Sequence, residues 1–133
     1  MLAHVCAGYP LEACGALLGR GGDIRRVAPL ENRETETPRV RYAIDPRDLV
    51  RLDRKARGEG LEIVGYFHSH PDHPARPSET DRRRAAESLS DGVFHLVIGV
   101  ESGTRTTPTA WVFREATGAF EAEPLEISDE GGP

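Results

Sequence analysis

The feature that most constrains this chain is the stretch Gly65-Tyr66-Phe67-His68-Ser69-His70-Pro71. The residues entering it, Ile63-Val64-Gly65-Tyr66-Phe67, are apolar at nearly every position. A strand through them must be covered on both faces, so it is expected to lie in the middle of a sheet. Residues two apart on a strand share a face and sit about 6.6 Å apart along the chain. His68 and His70 are therefore aimed at one point. Two imidazoles leaving an apolar strand on one side need something to satisfy them. A divalent metal does this well, and a pair of surface histidines at a strand end is the alternative.

Helix and strand signals surround that strand. Cys14-Gly15-Ala16-Leu17-Leu18-Gly19 is apolar and bounded by glycine, as in a buried strand. Gly21-Gly22-Asp23 is a turn, and Ile24 to Leu30 returns to complete a hairpin. Residues 31–38 read as a polar loop and residues 40–44 as a further strand. Asp45-Pro46 joins an N-cap to a proline at the first helical position. Leu49, Leu52 and Ala56 then carry a helix to about Arg57, and Gly58 stops it. The prolines at 71, 74 and 77 require a loop over 71–77. Ser78 opens a second helix running to about Leu89. Residues 93–100, 106–114 and 118–123 read as strands, and 2–7 as a short helical segment. Two helices among hairpin-linked strands predict an α/β (α+β) fold, a mixed β-sheet with flanking helices.

The chain has 133 residues, the size of one compact domain. We expect that domain over residues 1–127, with a flexible tail at 128–133 whose Gly131-Gly132-Pro133 ending is a frayed terminus. No run approaches the roughly 20 apolar residues that span a bilayer, and the first residues lack the basic region of a secretion signal. The expectation is a cytoplasmic protein without membrane partners. Acidic residues outnumber basic ones, 22 to 17, the opposite of a general nucleic-acid binder. Cys6 and Cys14 lack Cys-x-x-Cys spacing and read as buried reduced thiols.

Asp81 turns the histidine pair into a candidate metal site. Ser78-Glu79-Thr80-Asp81 starts a helix, and Asp81 at its third position is suited to a capping box. The same carboxylate returns to the strand end across a loop, where it would complete a His-His-Asp set with a fourth position open. Three protein ligands and one open position is the pattern of a catalytic zinc site. Water activated there needs a base outside the metal's first shell. Glu12, just ahead of an apolar strand, is the candidate, and an exposed loop acid is its plainer reading.

In this order, Pro10-x-Glu12-x-Cys14-Gly15-x-Leu17-x-Gly19, Gly65-x-x-His68-Ser69-His70-Pro71 and Pro77-Ser78-x-x-Asp81 resemble the JAMM (MPN+) zinc metalloproteases, in the wording of small prokaryotic members. That family's motif, Glu followed by His-x-His-x10-Asp, is matched at every position. Most of the chain takes part, including Ile44-Asp45-Pro46-x-Asp48-Leu49. The resemblance implies a single MPN/JAMM domain of deaminase-like architecture. It implies one Zn2+ per chain held by His68, His70 and Asp81, Glu12 as general base, and Ser78 as hydrogen-bond donor to the oxyanion.

It further implies hydrolysis of peptide or isopeptide bonds after the C-terminal Gly-Gly of a ubiquitin-like or sulfur-carrier β-grasp protein. The polar 31–38 loop is the expected recognition segment, and the chain is short for a polyubiquitin enzyme. The assembly is either a monomer or a homodimer. Two competing classes are a non-catalytic MPN scaffold and a zinc hydrolase of small molecules. The first typically lacks a ligand or the glutamate, and all are present. The second takes its glutamate from His-x-Glu followed by Cys-x-x-Cys, and neither occurs. His4, His73 and His95 are assigned no chemistry, and Trp111 is read as core.

Overall fold

A computed structural model describes residues 6, 9, 11–21, 23–34, 44–72, 75–87, 93–102 and 104–124. Outside these residues lie 2–5 and 7 of the expected 2–7 segment, 35–38 of the 31–38 loop, 40–43 of the 40–44 strand, the last residues of the helix expected to Leu89, the 128–133 tail, His4 and His73. In chain order the elements are β1 (Cys14–Arg20), β2 (Asp23–Leu30), α1 (Pro46–Gly58), β3 (Glu62–Pro71), α2 (Glu79–Glu87), β4 (Phe94–Glu101), β5 (Arg105–Arg114) and β6 (Ala119–Glu123). The strands form one sheet in the order β2-β1-β3-β4-β5-β6. β3 runs parallel to β4, and every other neighbouring pair is antiparallel. The sheet is therefore mixed, with the apolar strand at its centre, as the sequence predicts.

The helix signals act locally. Asp45 Oδ1 accepts the Arg47 N–H at 2.9 Å, and Pro46 follows at the first helical position. Ala56 is the buried residue of α1, and its carbonyl accepts the Leu61 N–H at 2.9 Å, turning the chain into β3. One sheet face carries the core cluster of Leu17, Phe67, Leu96, Ile98 and Val100, with Ala13 beside it. Gly15 makes this packing possible. A Cβ there would lie 2.3 Å from the Phe67 ring and 2.4 Å from the Ala28 carbonyl.

The observed structure corrects two details. Pro71 is not loop but the last residue of β3, in register with Val100. A proline can end a strand because the next residue takes over the ladder, and here the Asp72 N–H donates to Val100 O at 2.7 Å. Cys14 is buried but Cys6 only half-buried, and both thiols are free. No helix among the described residues is long and apolar enough to cross a membrane.

Candidate metal centre

His68 and His70 stand on the C-terminal half of β3, with Cα positions opposite Val97 and Gly99 of the parallel β4. His68 also lies opposite Cys14 of β1. Strand alternation sends both imidazoles to the face opposite the Phe67 cluster. Their rings sit 4.9 Å apart between centroids, and both are buried. Asp81 arrives from the first turn of α2. Its Oδ2 is 3.1 Å from His68 Nε2 and 3.2 Å from His70 Nε2, and the two Nε2 atoms are 3.1 Å apart. Among the described residues this is the one group of three or more His, Cys, Asp or Glu side chains with metal-ligand spacing.

The triangle tests the fit of a metal. Bonds of about 2.0–2.1 Å from a tetrahedral ion place neighbouring ligand atoms roughly 3.3 Å apart, close to all three edges seen here. Hydrogen bonds among these three atoms cannot serve all three edges at once. If both imidazoles donate to the carboxylate, two N–H groups confront each other across the remaining edge. One cation shared by two nitrogens and an oxygen serves every edge, and this donor set suits zinc.

Asp81 fills both roles that its sequence position suggests. Oδ2 accepts the Ser78 N–H at 2.8 Å, and the Asp81 N–H donates to Ser78 Oγ at 3.1 Å. This reciprocal cap leaves the same oxygen facing the histidines. Burial works to raise the Asp81 pKa, but hydrogen bonds from His68, His70 and Ser78 prevail and hold it well below the usual carboxylate range. Burial pushes His68 down, against the pull of Asp81. Both shifts favour the forms that bind metal, a neutral imidazole and an ionised carboxylate.

Glu12 is only 5% exposed, which rules out its reading as an exposed loop acid. Its Oε1 is buried with no hydrogen-bond partner among the described residues. Burial raises its pKa to about 8; Asp81 adds to the rise, while His70 and Arg84 oppose it. The segment carrying it is tied to the histidine strand. Ala13 N–H donates to Ser69 Oγ at 2.8 Å, and Ser69 N–H donates to Ala13 O at 2.9 Å. Asn32 Nδ2 donates to Glu12 O at 2.9 Å.

All five expected site residues thus fall in one region, with His68, His70, Asp81 and Ser78 in direct contact. Sequence reading misses Ser69 and Asn32, which hold the Glu12 segment. Ser69 carries a faint signal, a hydroxyl facing the apolar side of a central strand; Asn32 carries none. His95, assigned no chemistry, is buried and packs edge-on against Phe120 at 5.0 Å. Trp111 is only half-buried, its Nε1 donating to Thr109 Oγ1 at 2.9 Å.

Residues 1–114 match the family model for prokaryotic homologs of the JAB domain. A desampylase of Haloferax volcanii is 36% identical over 84% of this chain and 80% of its own length. A CysO-cysteine peptidase of Mycobacterium tuberculosis is 28% identical over 98% of this chain and 86% of its own. The solution structure of a protein from Desulfitobacterium hafniense superposes with a TM-score of 0.82 and 32% identity, covering 96% of this chain and 86% of that one. The chain belongs to the prokaryotic JAB-domain family.

Proposed function

We propose that this protein is a zinc-dependent peptidase or isopeptidase. Its substrate is the bond following the C-terminal Gly-Gly of a ubiquitin-like or sulfur-carrier β-grasp protein. The observation that carries the reading is the triangle of His68, His70 and Asp81 ligand atoms with the buried Glu12 carboxyl held beside that strand, its Oε1 without a hydrogen-bond partner among the described residues. The CysO-cysteine peptidase relative, matched over nearly the whole chain, supports the substrate class. An extended Gly-Gly tail also suits a tight site, because glycine lets the backbone approach closely.

Zinc held by His68, His70 and Asp81 would lower the pKa of water and polarise the scissile carbonyl. The chain's own groups do the rest. Glu12 takes the proton of the attacking water on its carboxylate and returns it to the leaving nitrogen. In the metal-loaded protein Glu12 ionises more readily, because a nearby cation favours its charged form. Ser78 Oγ already accepts the Asp81 N–H, so its own O–H remains to donate to the developing oxyanion. The test is cleavage of a β-grasp carrier fused through Gly-Gly to a short peptide. Turnover that a chelator abolishes and zinc restores supports the reading; chelator-resistant turnover refutes it.

A further inference from the structure

The Glu12 segment has a further attachment, through a residue with no role so far. Asp72 follows β3 directly, two residues beyond His70. Its backbone is in the left-handed region, φ +56°, which non-glycine residues adopt rarely, though Asp does so more readily than most. Hydrogen bonds to three other residues are among those that hold it there. Its N–H donates to Val100 O at 2.7 Å. Its Oδ1 accepts the Ser102 N–H at 2.8 Å, and its Oδ2 accepts the Tyr9 hydroxyl at 2.5 Å. Tyr9 packs on the core cluster and precedes Glu12 by three residues. One carboxylate therefore joins the end of the histidine strand, the turn after β4 and the segment that carries Glu12.

We propose that Asp72 is a positioning residue which, through Tyr9, fixes Glu12 relative to the ligands at the end of β3. The inference rests on the reading of Glu12 as general base. The bonds between Ala13 and Ser69 hold the segment on the C-terminal side of Glu12. The bond between Tyr9 and Asp72 holds it on the N-terminal side, and the Asn32 amide holds the Glu12 carbonyl between them. Asp72 itself is exposed and fills no part of the core, so its contribution is to placement. Strained backbone held by several converging bonds is the form such devices take near reacting groups.

The experiment compares Tyr9→Phe, Asp72→Ala, the double variant and Asp72→Asn in the zinc-loaded protein with the carrier-fusion substrate. Asparagine preserves the geometry, since its Oδ1 accepts from Ser102 and its Nδ2 donates to the Tyr9 oxygen. We expect kcat to fall about tenfold in Tyr9→Phe and Asp72→Ala, because small misplacements of catalytic groups are costly. KM and zinc stoichiometry should be unchanged, the double variant should be no worse than Asp72→Ala, and Asp72→Asn should recover most of the rate. A second readout needs no turnover. Hydrogen exchange at the Ala13 amide should accelerate in Tyr9→Phe and Asp72→Ala but not in Asp72→Asn. Additive losses, loss of zinc, or Tyr9→Phe behaving as wild type would overturn the proposal. A wild-type protein that cuts no carrier would refute the substrate reading alone, and the exchange measurement would still decide the role of Asp72.

Discussion

Ser69 and Ala13, 56 positions apart, exchange two hydrogen bonds: Ser69 Oγ accepts the Ala13 N–H at 2.8 Å, and Ser69 N–H donates to Ala13 O at 2.9 Å. Ser69 lies between the two histidines but turns its hydroxyl to the opposite face of the sheet. The strand that aims the ligands thus also holds the residue next to the candidate base. The two histidines and the candidate base are thus held by one strand rather than by two independent loops.

Ser69→Ala should therefore damage both stability and rate. It leaves the buried Ala13 N–H without a partner, a loss of about 1–3 kcal/mol, measurable by chemical denaturation. Zinc binding should survive, because both imidazoles keep their strand. A lower kcat with zinc retained is the expected pattern; loss of zinc in step with activity would show that Ser69 supports the ligands instead.

Titration with zinc should find one ion per wild-type chain and none in His68→Ala or Asp81→Ala. Asp81→Ala also removes the helix cap with Ser78, which should cost about 1 kcal/mol even in metal-free protein. Comparison of melting with and without chelator separates the two effects. Full zinc binding by Asp81→Ala would remove Asp81 from the ligand set.

In metal-free protein Glu12 should make stability fall with rising pH. Its pKa is raised from 4.5 to about 8 by burial. Below pH 4.5 it is protonated in both folded and unfolded chains. Between pH 4.5 and 8 the unfolded chain ionises while the folded one retains its proton, so stability drains across that window and levels off above it. Glu12→Gln cannot ionise and should gain on wild type from pH 4.5 to 8. Parallel stability curves would mean that the carboxyl is not buried as described.

His95 should act in the opposite sense. Burial lowers its pKa from 6.5 to about 4, with a smaller push from His68, and its Nε2 has no partner among the described residues. As pH falls from 6.5 towards 4, the unfolded chain takes up a proton that the folded one refuses. Stability on the order of 3 kcal/mol should be lost over that range. Urea unfolding of His95→Phe at pH 7 and pH 4.5 checks this: the variant should lose less than wild type on acidification. An equal loss would place the acid sensitivity elsewhere.

These placements differ in how far the sequence reveals them. The direction of His68 and His70 follows from the two-residue period of a strand, and the cap of Ser78 with Asp81 spans three residues, so both are local and legible. The central place of β3 is legible because Ile63 to Phe67 would be exposed anywhere else. Pairing is different. That β3 lies parallel to β4 and antiparallel to β1 depends on which apolar strands meet, and their residues are nearly interchangeable. The bonds of Ala13 to Ser69, Glu12 to Asn32 and Tyr9 to Asp72 join single polar groups across 20 to 63 positions. Such pairs follow no period, and only the folded chain discloses them. The burial of Glu12 is of the same kind.

The most direct test of the account is hydrolysis of a β-grasp carrier fused through Gly-Gly to a short peptide, by wild type and by Glu12→Gln, each loaded with zinc to one ion per chain. Wild type should release the peptide after the second glycine. Glu12→Gln should bind zinc equally well and be slower by about 10²–10⁴-fold, the usual contribution of a general base. Equal rates from the two zinc-loaded proteins would contradict it.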